Sequence, residues 1–182
     1  MKNILIILIS SILLSNSAEL NAQKGFSIGS SLGGGIISGN TTSKGSFSSS
    51  IFIELDPGLY EDLAMRVSFL YHTDFNSVLP NTTKKYYPFL RGFGLKGITS
   101  QNIDSSLFVE EGLGLITLND RTISGTNEWD YGVSFSIAAG FDLRNNESDG
   151  VKLSLGTEYG LTFFKTLPSY FSVFIQIHYL FL

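Results

Sequence analysis

Tyr131 to Leu143 reads YGVSFSIAAGFDL. Tyr131, Val133, Phe135, Ile137, Ala139, Phe141 and Leu143 fall on one side of an extended chain, and Gly132, Ser134, Ser136, Ala138, Gly140 and Asp142 on the other, because side chains along a strand alternate with a period of two. One face is bulky and apolar. The other is small and polar.

The same pattern recurs outward from this stretch. Val151, Leu153, Leu155, Tyr159, Leu161 and Phe163 alternate with Lys152, Ser154, Gly156, Glu158, Gly160 and Thr162, and the chain ends on Phe171, Val173, Ile175, Ile177, Tyr179 and Phe181. Upstream, Phe47 to Leu55 and Leu63 to Tyr71 form a pair across Asp56-Pro57-Gly58, a strong turn signal. A glycine-diluted strand over Phe26 to Ser38, with Tyr87 to Lys96 and Leu107 to Leu118, brings the number of expected strands to eight. Asp56 to Tyr60, Ile98 to Asp104 and Asn145 to Gly150 read as short connections. Thr73 to Tyr86 and Leu118 to Asp130 read as long polar ones, and Asn40 to Gly45 and Phe164 to Ser169 fall between. With both termini in the periplasm, the long pair lies on the outer side, as in outer-membrane barrels.

The first residues, MKNILIILISSILLSNSAELNAQ, read as a secretory signal: Lys2 is the positive n-region, Ile4 to Leu14 the apolar h-region, and Ala22 a small residue at the cleavage site. Residues 1–22 are therefore expected to be an export signal and 23–182 a single domain. The chain has no cysteine, which excludes a disulfide framework and thiolate chemistry. A formal net charge of -4 gives no basic footprint for nucleic acid.

Alternation alone also describes a soluble ligand-binding barrel with its apolar face inward. Two features favour lipid outside. The polar face is built of Gly, Ser, Ala and Thr, whereas a water-facing surface carries charges on roughly a quarter to a third of its positions. The apolar face carries aromatics near segment ends, at Phe26, Tyr71, Tyr87, Tyr131, Phe163, Phe171, Tyr179 and Phe181, where interfacial girdles form. The expected fold is all-β: an eight-stranded antiparallel up-and-down transmembrane barrel with crossing segments of about 9–11 residues.

The export signal, the eight segments, Glu110-x-Gly112-x-Gly114 on the fifth strand and the alternating aromatic C-terminus resemble the OmpA-like family of small outer-membrane β-barrels. The resemblance spans the whole mature chain and implies a fold, a place in the bacterial outer membrane, lipid and lipopolysaccharide as surroundings, and the barrel-assembly machinery as a partner during insertion. One departure is that Leu182 follows Phe181, where the family commonly closes on an aromatic residue.

An eight-stranded barrel is just wide enough inside to be filled by side chains, so the lumen is expected to be a packed polar core. Glu54, Arg66, Glu110, Asp142, Lys152 and Glu158 point inward in this register, with Arg66 as the natural centre of a structural network, since desolvated carboxylates need cationic partners. Arg91 and Glu111 fall on the lipid face, which calls for a bulge or a place near an interface. Small outer-membrane barrels that modify lipids work with a His and a Ser near the outer rim; here His72, with Asp74 and Ser77, matches no such spacing and reads as a loop histidine, and His178 as a satisfied lumen residue. Asn119, Asp120, Asn127, Glu128 and Asp130 around Trp129 read as a solvated loop with at most a weak divalent-cation or lipopolysaccharide contact. Lys84 and Lys85 read as rim lysines near lipid phosphates, and the Asn81-Thr82-Thr83 acceptor pattern as a chance match. No cofactor, metal or catalytic residue is expected. The functional expectation is a monomeric, non-enzymatic envelope protein with a structural or surface-interaction role through its outer loops; a porin-like small-solute channel and a soluble periplasmic ligand-binding barrel are the alternatives.

Overall fold

The computed structural model describes residues 25–57, 63–78, 86–144 and 149–181; the export signal expected over 1–22 lies outside them. The described residues form β1 (Gly25–Ser38), β2 (Lys44–Asp56), β3 (Leu63–Asp74), a 3-10 turn over Phe75–Ser77, β4 (Phe89–Asn102), β5 (Leu107–Arg121), β6 (Glu128–Asp142), β7 (Gly150–Thr162) and β8 (Ser169–Phe181). Each strand pairs antiparallel with its neighbours, and β1 pairs with β8, closing the barrel.

Closure fixes the tilt. From Ile28 the paired residues run through Ile53, Val67, Leu95, Leu115, Val133, Leu161 and Ser169 and return to β1 at Ser38, ten residues further along. A stagger of that size tilts eight strands by roughly 35–45°. Seven of those outward-facing residues in a row are aliphatic, so one turn around the barrel traces an apolar band. Leu115 is 66% exposed, Ile51 62% and Ile175 59%, which puts the bulky face outside. That is the reverse of a soluble barrel.

The strands run 12 to 15 residues, longer than the about 9–11 that cross the hydrocarbon alone. This displaces two expected boundaries. The fourth strand, read from the sequence as Tyr87 to Lys96, occupies Phe89–Asn102. The long loop expected over Leu118 to Asp130 shrinks to 122–127, because Asn119 pairs with Trp129 and Asp120 with Glu128. Polar side chains concealed a ladder that their backbones continue. Only 75–88 remains a long connection, at the end opposite the termini, here called the loop end.

Inside, small residues make room for large ones. A Cβ on Gly160 would lie 2.3 Å from the Tyr170 ring, and a Cβ on Gly132 would lie 1.8 Å from the Leu161 carbonyl oxygen. The first obstacle is a side chain and the second is backbone. Gly160→Val should therefore cost about 1–3 kcal/mol, the usual range for overpacking, whereas Gly132→Val should cost more because the neighbouring strand itself must move. Urea unfolding in detergent micelles, followed by the fluorescence of Trp129, measures both.

Candidate functional site

Alternate positions on all eight strands point into the lumen, and their chemistry changes along the barrel axis. At the end carrying the termini, Asp142 binds Arg144 (Nη2 to Oδ2, 2.6 Å) and stands 3.9 Å from Lys152, whose ammonium lies 4.7 Å from the centre of the Phe108 ring. Arg144 and Lys152, with Ser27, Glu54, Asp56 and Glu110, line a vestibule of about 410 Å³ open at that end.

Deeper in, Arg66 stands between two carboxylates: Nη2 is 2.6 Å from Glu54 and 3.0 Å from Glu110. Its Nη1 donates to Gln176 Oε1 at 3.2 Å, and its guanidinium lies 4.3 Å from the centre of the Phe52 ring. Further along, Lys96 Nζ donates to Glu158 Oε2 at 2.7 Å, and Tyr170 Oη donates to Glu158 Oε1 at 2.5 Å. The structure thus distributes the six residues expected in the lumen over three groups. Lys96, Arg144 and Gln176 complete those groups and were not singled out from the sequence, although the alternation of β4 places Lys96 on the same face as Gly92 and Gly94. Four carboxylates, Glu54, Glu110, Asp142 and Glu158, are matched by four cations, Arg66, Lys96, Arg144 and Lys152. Pairing of this kind meets the requirement that buried ions have partners.

Beyond Glu158 apolar side chains join the small polar ones in the lumen. Ile37, Leu70, Leu90, Ile116, Leu118 and Tyr170 form a buried apolar cluster near the loop end, a layer that the expectation of a packed polar core did not include. The sequence concealed it because each strand contributes one or two apolar residues to an otherwise small-residue face. His72 is also corrected: it is 3% exposed and lies against Tyr170, ring centres 4.2 Å apart, so it is a lumen residue and not a loop histidine. Ser77 bonds Thr73, and Asp74 accepts from Asn76. No triad forms there. His178 Nε2 lies 2.6 Å from Ser27 Oγ and its ring packs edge-on to Phe52, while the nearest Glu110 oxygen is 4.0 Å from Nδ1, beyond hydrogen-bond reach.

At the loop end three buried aspartates hold the connections. Asp120 accepts from the backbone N–H of Asn40 (3.0 Å) and of Thr122 (2.8 Å), and Asp74 from that of Asn76 (2.9 Å). Asp130 Oδ2 accepts from the N–H groups of Thr166 (2.9 Å) and Leu167 (3.1 Å), fixing Leu167 at φ 50°, a conformation a bulky side chain adopts only under constraint. Glu128 binds Lys165, and this hydrogen bond, with the carboxylate charge behind it, holds the Lys165 ammonium above its usual pKa. Asp120 and Asp130 were read as solvated loop residues; they are buried fasteners instead.

On the outside, Phe26, Tyr179 and Phe181 ring the terminal end, with Phe26 and Phe181 rings 5.7 Å apart. Tyr71, Tyr131, Phe163 and Phe171 ring the loop end, and Tyr87 lies just before β4. Phe89 and Trp129 join the second ring. The register through β4 and β5 is unbroken, so no bulge moves Arg91 or Glu111; both face outward, Arg91 third from the loop end of β4 and Glu111 fifth from the terminal end of β5.

A closed, tilted, eight-stranded barrel with an apolar belt, two aromatic rings and a charge-paired lumen defines the class: a small transmembrane β-barrel of the bacterial outer-membrane type. Solved structures agree. Neisserial surface protein A superposes with a TM-score of 0.61 at 15% identity, covering 84% of this chain and 95% of that one. Ail, the attachment invasion locus protein of Yersinia pestis, solved in complex with the heparin analogue sucrose octasulfate, gives 0.50 at 11% identity over 86% and 99%. No protein-family model and no curated protein sequence matches the chain. The fold is that of the small outer-membrane barrels, and the exterior is that of a protein lodged in such a membrane.

Removing Arg66 leaves two carboxylates buried and unpaired, so Arg66→Met should lower stability by about 3–5 kcal/mol. The combination Glu54→Gln, Arg66→Met, Glu110→Gln should recover much of that loss, as equilibrium unfolding in urea would show. Asp130→Ala should leave the barrel folded but release the 163–168 turn, seen as amide exchange of Thr166 and Leu167 at least about tenfold faster, the equivalent of roughly 1.4 kcal/mol of lost local protection.

Proposed function

We propose that the protein is a non-enzymatic component of the outer membrane whose barrel is a closed structural body and whose loop end makes surface contacts. Both termini then face the periplasm, which puts the one long connection, 75–88, outside. The observation that supports this reading is the filled lumen: Glu54 and Glu110, which line the vestibule, are bound by Arg66 deeper in, and the apolar cluster of Ile37, Leu90, Leu118 and Tyr170 packs the interior near the other end.

Support for a surface role comes from the loop end. Phe75, Val78, Ile123, Phe164 and Leu167 are exposed on its connections, and rigidly held apolar side chains lower the ordering cost of binding a partner. The two solved structures of similar fold carry names that speak of the surface and of attachment, which agrees with an extracellular ligand without identifying one. Insertion by the barrel-assembly machinery draws on the alternating aromatic strand β8, and the protein acts as a monomer.

The vestibule is the one feature that favours a small-solute channel instead. Conductance in a planar bilayer separates the two readings: the closed barrel should give no steady ohmic current, and Leu90→Ser with Leu118→Ser should raise the frequency of openings by weakening the apolar seal. A steady open pore in the unmodified protein would establish the channel.

A further inference from the structure

We propose that Arg91 and Arg121 form a binding site for a phosphate group of an outer-leaflet glycolipid, on the lipid-facing wall of β4 and β5 just inside the loop end. The inference rests on the orientation given above and adds a ligand class and two residues to it.

Both arginines face outward. Phe89 pairs with Arg121 and Arg91 with Asn119, which makes the two arginines diagonal neighbours on one face, roughly 7–8 Å apart. Two arginines rooted at diagonal positions can converge on one phosphate, since each guanidinium presents paired N–H donors that match its oxygens. Among the described residues neither arginine forms a salt bridge, and residues 75–88, which lead into β4, contain no Asp or Glu. The outward neighbours Tyr71, Phe93, Thr117 and Tyr131 carry no charge. Two like charges on a wall that faces lipid repel each other, and among the described residues no carboxylate pairs with either.

Their depth indicates what does. Arg91 is third from the loop end of β4 and Arg121 is the last residue of β5, within the aromatic ring of Tyr71, Phe89 and Trp129, at the level where hydrocarbon gives way to headgroups. The site is also held in place. Arg91 Nε donates to Asn119 Oδ1 at 3.3 Å, and Asn119 Nδ2 donates to Asn127 Oδ1 at 3.1 Å and to the Glu128 carbonyl at 3.4 Å. The Nε bond leaves the Nη edge of Arg91 to an anion. The Arg121 guanidinium sits 5.8 Å from the centre of the Phe89 ring, Tyr86 Oη donates to the Arg121 carbonyl at 2.5 Å, and Arg121 Nε is enclosed with no acceptor.

Trp129, the single tryptophan of the chain, is the pairing partner of Asn119 and is a built-in reporter. The mature barrel in neutral detergent micelles should be titrated with diphosphorylated lipid A while Trp129 emission is read. A saturable change is expected, with half-saturation about tenfold weaker for enzymatically dephosphorylated lipid A and for R91Q/R121Q, the scale of losing charge-assisted bidentate contacts; K165Q should titrate like the unmodified protein. If the double variant does not give the fast-migrating unboiled band of a folded barrel, R121Q alone takes its place. Equal binding of dephosphorylated lipid A, or equal titration by the folded arginine variant, would overturn the proposal. So would inorganic phosphate producing the full change at the same concentration, which would make the site one for free ions. A protein that folds without detergent would instead refute the membrane reading beneath it.

Discussion

In hydrocarbon a peptide N–H or C=O that lacks a partner has no water to turn to, and the pairing of β1 with β8, from Phe26 and Phe181 at one end to Ser38 and Ser169 at the other, is what leaves no such group along a sheet edge. The ten-residue stagger that this closure carries sets the tilt and with it the width of the barrel. An interior that narrow has no room for a water column beside large side chains. It must be filled, and what fills it must be compatible with burial.

The filling uses two chemistries in series. Near the terminal end, Arg66, Lys96, Lys152 and Arg144 offset Glu54, Glu110, Glu158 and Asp142. Near the loop end, aliphatic side chains and Tyr170 do the same work without charge. Tyr170 belongs to both, with its ring in the apolar cluster and its hydroxyl on Glu158. Ion pairs of this kind contribute less to stability than their number suggests, but they tie particular positions on different strands together: Arg66 on β3 meets β2, β5 and β8 at once. Asp74, Asp120 and Asp130 extend that logic to the rim, where buried carboxylates take up backbone N–H groups of the connections that no strand can pair.

How much of this was legible beforehand depended on whether the information was local. Tyr131 to Leu143 announces a strand and its two faces because alternation is a property of neighbouring residues, and the inward direction of Glu54, Arg66, Glu110, Lys152 and Glu158 follows from it. Lys96 shares a face with Gly92 and Gly94 by alternation, but its partner Glu158 lies on β7 and comes opposite it only through closure. The apolar cluster was hidden for a related reason, since Leu90, Leu118 and Ile37 come together only through closure. Asn119 to Arg121 and Glu128 to Asp130 have the composition of a loop, yet their backbones pair, since polar side chains are compatible with strand wherever the ladder stands clear of lipid. His72 was misplaced by the same displacement of the strand end. The surface partner has no comparable signature, as loops encode contacts through shape and not through a period.

The barrel closes only with the apolar face of its strands outside in a lipid-like surround, a requirement on which the rest of the structure depends. That requirement is tested most directly by refolding the chain without residues 1–22, once in detergent micelles and once in plain buffer, and comparing the mobility of boiled and unboiled samples in dodecyl sulfate gels. The structure predicts a compact, fast-migrating unboiled band that forms only when detergent is present. A soluble, monodisperse folded protein in plain buffer would contradict it, and would mean that the bulky face of Tyr131 to Leu143 turns inward.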